Sequence, residues 1–485
     1  MNRSLIAVIL IAINALGAAN TPNVLLIVSE DNGPEIGSFG TKIETPHLDK
    51  LSASGTLFEN AYVPQAGCSQ SRAAFLTGLY PHQNGQIGLA TWNYEMFSEK
   101  IPNIINTLSA GGYRTGIIGK LHVKPKSAFK FDFKAIPNSN FQRKDMSLYS
   151  EKASEFFKSG EEPFYLQVNY PDAHRPFIPQ VNGIPQKPLK ASDVEALPFI
   201  GIDHPEIRQQ TADYYNCIMR LDYYVGELLK SLEESGASKD TVIIYIGDHG
   251  ADLPRGKRTC YEGGVRIPMI ISWPKAKENQ RRKELVSTLD LFPTICEIAG
   301  LKASDSLVGQ SLKSIIHGKN PAWRRVMFTG YHVHSNHNPW PQRAVRDERY
   351  KLIFNPLSGE VNPGYDFTMS KKFMEASQSE LMESASDQVR AAYKISRRPP
   401  RYELYDLQND PYEFNNLADE PEHSSQLKRL QSLLVHWQKD SGDPFLFPEA
   451  PKKLFHMIKE TGTKDRTKID YKSLFYKSKN ADLSK

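Results

Sequence analysis

The sequence predicts an α/β fold: a large, mostly parallel sheet sandwiched by helices, followed by a smaller C-terminal subdomain of antiparallel strands and a helix. Apolar β-rich runs alternate with helical patterns through the first three hundred residues, as they do where strands and covering helices take turns along the chain. Two of these runs, Asn23 to Ser29 and Thr241 to Gly247, are nearly continuous Val, Ile and Leu, the composition of central strands covered on both faces. After about Pro321 the pattern changes to short strand runs separated by turns, which marks the smaller subdomain.

The elements follow in order. Met1-Asn-Arg-Ser precedes a mostly apolar stretch from Leu5 to Ala19 that ends in Gly17, Ala18 and Ala19. A basic start, a short apolar centre and small residues at the end describe a secretory signal peptide over residues 1–19, so the chain is expected to be exported. Residues 20–320 are expected to form the catalytic domain, with strands at Asn23 to Ser29, Tyr113 to Gly119, Phe164 to Asn169, Thr241 to Gly247 and Arg266 to Trp273. Thr45-Pro46 resembles a helix start, and Gly111-Gly112 closes a helix that begins near Ile101. From about Glu206 to Glu234, Tyr214, Ile218, Leu221, Val225, Leu228 and Leu229 form one apolar stripe, which is expected to cover a face of the sheet. The C-terminal subdomain, 321–450, is read as strands at Val326 to Tyr331, Tyr350 to Phe354 and Glu403 to Leu407, then a helix from about Glu422 to Lys439. Between them, Asp366 to Pro400 lacks apolar periodicity and reads as a long insertion or lid rather than core. Residues 451–485 form a basic tail, read as a solvated surface segment.

Composition narrows the function. With 60 Lys and Arg against 55 Asp and Glu, the chain is too balanced for a dedicated nucleic-acid binder. No apolar run after residue 20 approaches the roughly 18 residues of a membrane span. Four scattered cysteines, at 68, 217, 260 and 296, do not make a disulfide framework, so folding rests on an apolar core.

Two strand ends carry paired polar residues. Glu30 and Asp31 follow the first strand, and Asp248 and His249 follow the fourth. Ligands of open α/β sheets bind at the carboxyl ends of the strands, and carboxylate oxygens favour hard cations such as Ca²⁺ or Mg²⁺. Each pair alone reads equally well as a turn or a helix cap. In the segment from Gly67 to Gly78, small polar residues lead into Ala-Ala-Phe-Leu-Thr-Gly, so Cys68 is placed at a helix N-terminus, where free amides favour an anion. Arg72 lies one turn further along the same face. The plain alternative is an inert buried thiol beside a surface arginine.

Cys68-Ser-Gln-Ser-Arg72, followed by Leu76-Thr-Gly-Leu-Tyr-Pro-His-Gln-Asn-Gly85, resembles the signature of the formylglycine-dependent sulfatases of the alkaline phosphatase superfamily, whose usual core is Cys-x-Pro-Ser-Arg and then Leu-Thr-Gly. Gly119-Lys120-Leu121-His122, Asp172-Ala-His174, Gly247-Asp-His-Gly250, Lys257 and Glu403-Leu-Tyr-Asp-Leu-Gln-Asn-Asp-Pro411 follow in the family's order. Within the family, His82-Gln-Asn-Gly and His174-Arg175 look like the N-sulfoglucosamine sulfohydrolase (sulfamidase) branch.

The resemblance implies a reaction and roles for these residues. Cys68 would be oxidised to formylglycine by a formylglycine-generating enzyme, and one hydroxyl of its hydrate would attack sulfur. Glu30, Asp31, Asp248, His249 and the modified Cys68 would bind one Ca²⁺, which acts as a Lewis acid. Arg72 would hold the hydrate, and Lys120 and Lys257 would neutralise the sulfate oxygens. His122 would take the proton that drives collapse of the sulfated intermediate, and His174 would face the leaving group. The substrate would be a sulfated glycan. Two residues depart from the family pattern: Glu30 stands where aspartate is usual, and Gln70 replaces a proline that the modifying enzyme often reads. Three other readings stand beside this one: an O-sulfate-specific polysaccharide sulfatase, a phosphatase or phosphonate hydrolase on the same scaffold, and a glycan-binding pseudoenzyme in which Cys68 stays unmodified.

Overall fold

A computed structural model describes residues 21–462 and 469–475; the signal peptide read at 1–19 lies outside the described residues. Nine strands form the large sheet: β1 (Asn23–Ser29), β2 (Thr56–Tyr62), β3 (Arg114–Gly119), β4 (Phe133–Ala135), β5 (Phe164–Tyr170), β6 (Thr241–Gly247), β7 (Arg266–Ser272), β8 (Gln280–Arg282) and β9 (Val286–Ser287). Their spatial order is β4-β3-β5-β1-β6-β7-β2-β8, with β9 also on β2. From β4 to β6 all neighbours are parallel, and β7 runs antiparallel to both β6 and β2. The strand Thr56–Tyr62 escaped the sequence reading because Glu59 and Asn60 interrupt its apolar run.

Alternation along β1 shows why its composition marked a central strand. Val24, Leu26 and Val28 enter the core on one face, while Leu25 and Ile27 enter the core on the other, as the two-residue period of a strand requires. The longer helices are α1 (Pro46–Ala53), α2 (Cys68–Thr77), α3 (Ile104–Ala110), α4 (Leu148–Phe157), α5 (Pro205–Glu234), α6 (Leu291–Ile298), α7 (Asp387–Arg397), α8 (Ser424–Asp440) and α9 (Glu449–Met457), and α5 covers the second face. The stripe Tyr214, Ile218, Leu221, Val225 and Leu228 is buried against Leu25, Ile27, Leu166 and Val168, and each such side chain contributes about 1.5–3 kcal/mol. His204 caps α5 by accepting from the Glu206 amide at 3.2 Å, and Pro205 opens it. At α1, Pro46 stands at the first helical position as expected, but Thr45 makes no side-chain cap. Asp222 of α5 supplies the cap instead, accepting from the amides of His47 and Leu48 at 3.2 and 2.7 Å.

The second sheet is antiparallel, in the order β10 (Met327–Tyr331), β11 (Gln342–Arg346), β12 (Tyr350–Phe354) and β13 (Tyr402–Asp406). Leu430 and Leu434 of α8 pack with Val345, Leu352 and Leu404 on one face. On the other, Tyr331, Ala344, Ile353 and Tyr405 pack with Cys260 and Tyr261 of the large domain. The small sheet is thereby seated so that its 332–340 loop reaches the large sheet's carboxyl edge.

Two expectations are corrected. The 366–400 segment is not a structureless lid outside the core: helices Pro363–Thr368, Gln378–Glu383 and α7 run through it, and Leu381, Val389 and Tyr393 are buried in the core under α5. Two of its helices span only six residues, and α7 buries its face, Val389, Ala392, Tyr393 and Ser396, mostly with small or polar side chains that read weakly as apolar. The start of the basic tail is not a solvated segment either. α9 buries Leu454 and Phe455, and Leu454, Tyr471 and Phe475 pack with Ile87 and Tyr94. The Tyr471 hydroxyl accepts from the Glu95 amide and donates to its carbonyl, both at 2.8 Å. No helix among the described residues is long and apolar enough to cross a membrane.

Candidate active site

The site is built at the carboxyl ends of β1 and β6. These strands are parallel and in register, with Ser29 opposite Gly247, so the polar pairs that follow them emerge together. The Asp248 amide donates to the Ser29 carbonyl and the Asp31 amide to Asp248 Oδ1, both at 2.9 Å. Such close approach explains the glycines around Asp248: a Cβ on Gly247 would lie 2.0 Å from the Asn32 carbonyl oxygen, and one on Gly250 2.0 Å from that of Gly263.

α2 delivers Cys68 to this edge. Gly67 is its cap residue and Gly78 closes it in the left-handed conformation, and every residue of the helix is buried. Cys68 Sγ lies 3.3 Å from His249 Nε2 and 4.0 Å from Asp31 Oδ1. One turn on, Arg72 donates to Asp248 Oδ2 at 3.0 Å, to the Lys120 carbonyl at 2.9 Å, to Asn169 Oδ1 at 2.7 Å and to Glu30 Oε1 at 3.4 Å. Each of its three nitrogens therefore donates inside the cluster. Lys120 bonds Glu30 Oε1, and Lys257 bonds both oxygens of Asp31 at 3.0 and 2.9 Å.

The two remaining histidines flank the cluster. His174 Nδ1 lies 2.5 Å from the Arg175 carbonyl, and its ring stacks on Phe141 at 4.0 Å. Donor atoms of His174, Asp31 and Cys68 lie within 4.8 Å of one another. His122 sits in the left-handed region at φ 56°, and both of its buried ring nitrogens lack a hydrogen-bond partner. Every residue named from the sequence is thus brought to this one region: Glu30, Asp31, Cys68, Arg72, Lys120, His122, His174, Asp248, His249 and Lys257.

Electrostatics separates these groups. Burial, joined by the cations Lys120, Arg72 and Lys257, holds His122 well below the usual histidine range, and burial with Lys257 and Lys120 does the same to His174. Burial also works against charge on His249, but the Asp248 and Asp31 carboxylates outweigh it and carry that ring up to about 9. For Glu30, burial pushes the carboxyl upward despite Lys120 and Arg72. The donors fit a hard divalent cation: Glu30, Asp31 and Asp248 are buried carboxylates, and Glu30 Oε2 is a buried oxygen without a hydrogen-bond partner. Cys68, Asp248 and His249 also offer donor atoms within 4.8 Å of one another.

Sequence reasoning missed the residues that hold these in place. Asn169, near the end of β5, accepts from Arg72 and donates to the Ile118 carbonyl at 3.1 Å. Asp172 is gripped by Arg143 and Arg220 at 2.7–2.8 Å, and its backbone is joined to Glu30 through bonds of 3.0 and 2.6 Å on either side of the Asp172-Ala173 peptide. A polar residue at a strand end was the available signal for Asn169. His334 was not singled out within the second sheet's loop; it is 8% exposed and its Nδ1 has no partner. Gln70 of α2 ties that loop down, donating to the Val333 carbonyl at 2.6 Å and to that of Ile87 at 3.3 Å.

Comparison with known proteins places this geometry. The sulfatase family model matches residues 22–301, and the model for the C-terminal part of N-sulphoglucosamine sulphohydrolase matches residues 247–389. N-sulphoglucosamine sulphohydrolase of Homo sapiens is 32% identical, with 90% of this chain and 94% of the relative covered. An ulvan-active sulfatase of Formosa agariphila is 30% identical, with 87% and 81% covered. Among solved structures, a protein in complex with its substrate D-glucosamine-2-N,6-O-disulfate superposes with a TM-score of 0.65 at 20% identity, over 87% of this chain and 99% of that one, which speaks to the fold. The sulfatase family model over residues 22–301 and the N-sulphoglucosamine sulphohydrolase matched over nine-tenths of the chain place this chain in the sulfatase family, as a hydrolase of sulfuric esters or sulfamides.

Proposed function

We propose that this sulfatase is an exported, calcium-dependent enzyme that removes the sulfo group from N-sulfated glucosamine at the non-reducing end of a glycan, with formylglycine made from Cys68 as its nucleophile. The observation that carries the chemistry is the convergence of Cys68 with Asp31, Asp248 and His249 inside a ring of buried cations. The N-sulfate assignment is supported by the human N-sulphoglucosamine sulphohydrolase and by the matching C-terminal family model.

Glu30, Asp31, Asp248 and His249 would hold the calcium, and the Cys68 thiol marks the place of the formylglycine oxygens. When bound, calcium supplies Lewis-acid polarisation of the sulfo oxygens, and the formylglycine hydrate supplies the attacking hydroxyl. Lys120 and Lys257 bring positive charge to the oxygens on which charge builds in the transition state. His122, held neutral by burial and by Lys120, Arg72 and Lys257 and with both ring nitrogens without a hydrogen-bond partner, accepts a proton within this cationic surround. His174 uses Nδ1 on the Arg175 carbonyl, which leaves Nε2 to meet the leaving group. A second reading, an O-sulfatase of polysaccharides, is favoured by the ulvan-active relative at 30% identity.

Side-by-side assay of sulfate release from N-sulfated and 6-O-sulfated glucosamine tests the assignment, with release from the N-sulfated sugar expected. Release from the 6-O-sulfated sugar alone would replace it with the second reading. Mass spectrometry of the peptide containing Cys68 tests the nucleophile: an aldehyde is expected, and a quantitative free thiol in active enzyme would overturn it.

A further inference from the structure

Seven arginines are buried among the described residues, and five of them, Arg72, Arg143, Arg220, Arg343 and Arg346, donate a hydrogen bond through Nε. The two exceptions are Arg255 and Arg258, whose buried Nε atoms have no hydrogen-bond partner. Both line the same cavity, of about 40 Å³. One water needs roughly 10–15 Å³ of such space, so the cavity has room for a small ion and none for a sugar.

Charge sharpens the exception. Arg258 pairs with Asp252, and the five other arginines also pair with carboxylates. Arg255 makes no ion pair among the described residues. Its two terminal nitrogens go to Ser396 Oγ at 3.0 Å and to the carbonyls of Tyr412 and Glu413 at 3.1 and 2.6 Å, while the Glu413 carboxylate pairs with Lys351 at 2.7 Å. The rings of Tyr261 and Phe414 pack on the Arg255 guanidinium, 4.1 and 4.9 Å from its carbon, which leaves the Nε edge to meet a ligand.

A buried charge without a counter-charge is costly. The backbone adds to that cost, since Arg255 and Arg258 both stand in the left-handed region, at φ 62° and 72°. Nothing in the cavity wall offsets the charge: no carboxylate lines it, and its third cation, Lys257, is already engaged by Asp31. Tyr365 and Thr368 of the helix Pro363–Thr368, with Tyr393 and Ser396 of α7, complete the wall.

We infer that this cavity binds one small monovalent anion of the chloride class, held between the Nε groups of Arg255 and Arg258. The ion neutralises Arg255, supplies the acceptor that both guanidinium groups lack, and fastens the turn at 254–258 that carries Lys257 to Asp31. The inference does not depend on which sulfated substrate the enzyme takes.

The test uses the full-length enzyme, with calcium supplied as the gluconate so that halide is controlled separately. Thermal midpoints are measured in sodium chloride and in sodium gluconate at equal ionic strength, gluconate being too large for the cavity. A ligand bound only by the folded state raises the midpoint saturably, here by about 3 °C at one hundred times its Kd. Arg255→Met keeps much of the side chain's bulk, removes the charge and Nε, and is expected to abolish the chloride dependence. Crystals of the wild type grown in sodium bromide should show an anomalous peak within hydrogen-bond distance of both Nε atoms. Equal midpoints in chloride and gluconate would overturn the inference, as would a cavity without the bromide peak. A peak without a chloride-dependent midpoint would mean binding at crystal concentration only and would sink it equally. An undiminished chloride effect in Arg255→Met would place the ion elsewhere. If that variant does not fold, the wild-type midpoints and the bromide peak decide together.

Discussion

Asp172 and Glu30 are both buried, and the backbone of Glu30 bonds the Asp172-Ala173 peptide, donating to the Asp172 carbonyl and accepting from the Ala173 amide, yet the protein treats the two carboxylates in opposite ways. Asp172 receives three guanidinium bonds, from Arg143 and twice from Arg220. Burial raises it, but the two arginines outweigh burial and hold it below the usual aspartate range. For Glu30, burial outweighs Lys120 and Arg72 and the carboxyl is pushed upward, with Oε2 left unpartnered. Buried polar groups in native proteins are almost always satisfied, and the exceptions call for an explanation. Asp172 is frame, fixing the turn that carries His174; Glu30 is left incomplete by the protein alone, as a metal ligand would be.

The largest expected effect lies on the chemical side of that comparison. Cys68→Ala should reduce sulfate release to the uncatalysed background, since no other group at the site replaces the nucleophile. Its thermal midpoint should stay near that of the wild type, because only one sulfur atom is removed. A variant that kept most of its activity would break the assignment of Cys68.

On the frame side the effect should be on stability. Arg220→Ala leaves Asp172 with one arginine in place of two, and breaking a buried pair in this way costs about 3–5 kcal/mol, readable by denaturant titration. The pH dependence follows from the lowered Asp172. Its folded pKa lies below the unfolded value of about 3.9, so its stabilisation is complete above that pH and is lost as pH falls through the folded value. The stability gap between wild type and Asp172→Asn should therefore be constant near neutrality and close below about pH 4. A gap that instead widened on acidification would contradict the arginine lock.

Glu30 should behave the other way. In protein stripped of metal its charged form is disfavoured by burial, so its contribution falls as pH rises above the unfolded value near 4.3. Glu30→Gln should then match or exceed the wild type in thermal stability when a chelator is present. Calcium should stabilise the wild type by about 2.7 kcal/mol at one hundred times its Kd, and should barely move the variant. Equal calcium responses would remove Glu30 from the ligand set.

What the sequence made legible follows the same division. The polar pairs Glu30 and Asp31 after β1 and Asp248 and His249 after β6 could be read because each ends a buried strand, while Lys120 and His122 after β3 and His174 after β5 were named through the family resemblance of their segments. The frame could not be read, because its partners are distant in sequence: Arg143 and Arg220 meet Asp172 across 29 and 48 residues, and Gln70 meets Val333 across 263. The central strands β1 and β6 stood out because both faces are buried. The helices between 363 and 397 did not, since each gives the core only a few side chains, such as Leu381 or Val389.

Gln70 carries the smallest prediction. It is the third residue of α2, and the first helical bond is that of the Ser71 amide to the Gly67 carbonyl at 2.9 Å. The Gln70 amide is therefore among those a helix start leaves unused, and proline is tolerated there. What proline would remove are the side-chain bonds to Val333 and Ile87. Gln65 already reaches the same two carbonyls, Ile87 at 3.2 Å and Val333 at 3.4 Å, so neither acceptor would be stranded. Gln70→Pro should thus cost about 1–2 kcal/mol, the worth of two buried hydrogen bonds whose acceptors keep another donor, and leave the Cys68 cluster in place. If the fraction of Cys68 converted to formylglycine rises in this variant, as mass spectrometry of that peptide would show, the glutamine belongs to the frame and proline to recognition by the modifying enzyme. A loss well above 2 kcal/mol would instead mean that Gln70 carries the 332–340 loop by itself, and that the line between frame and chemistry runs through α2.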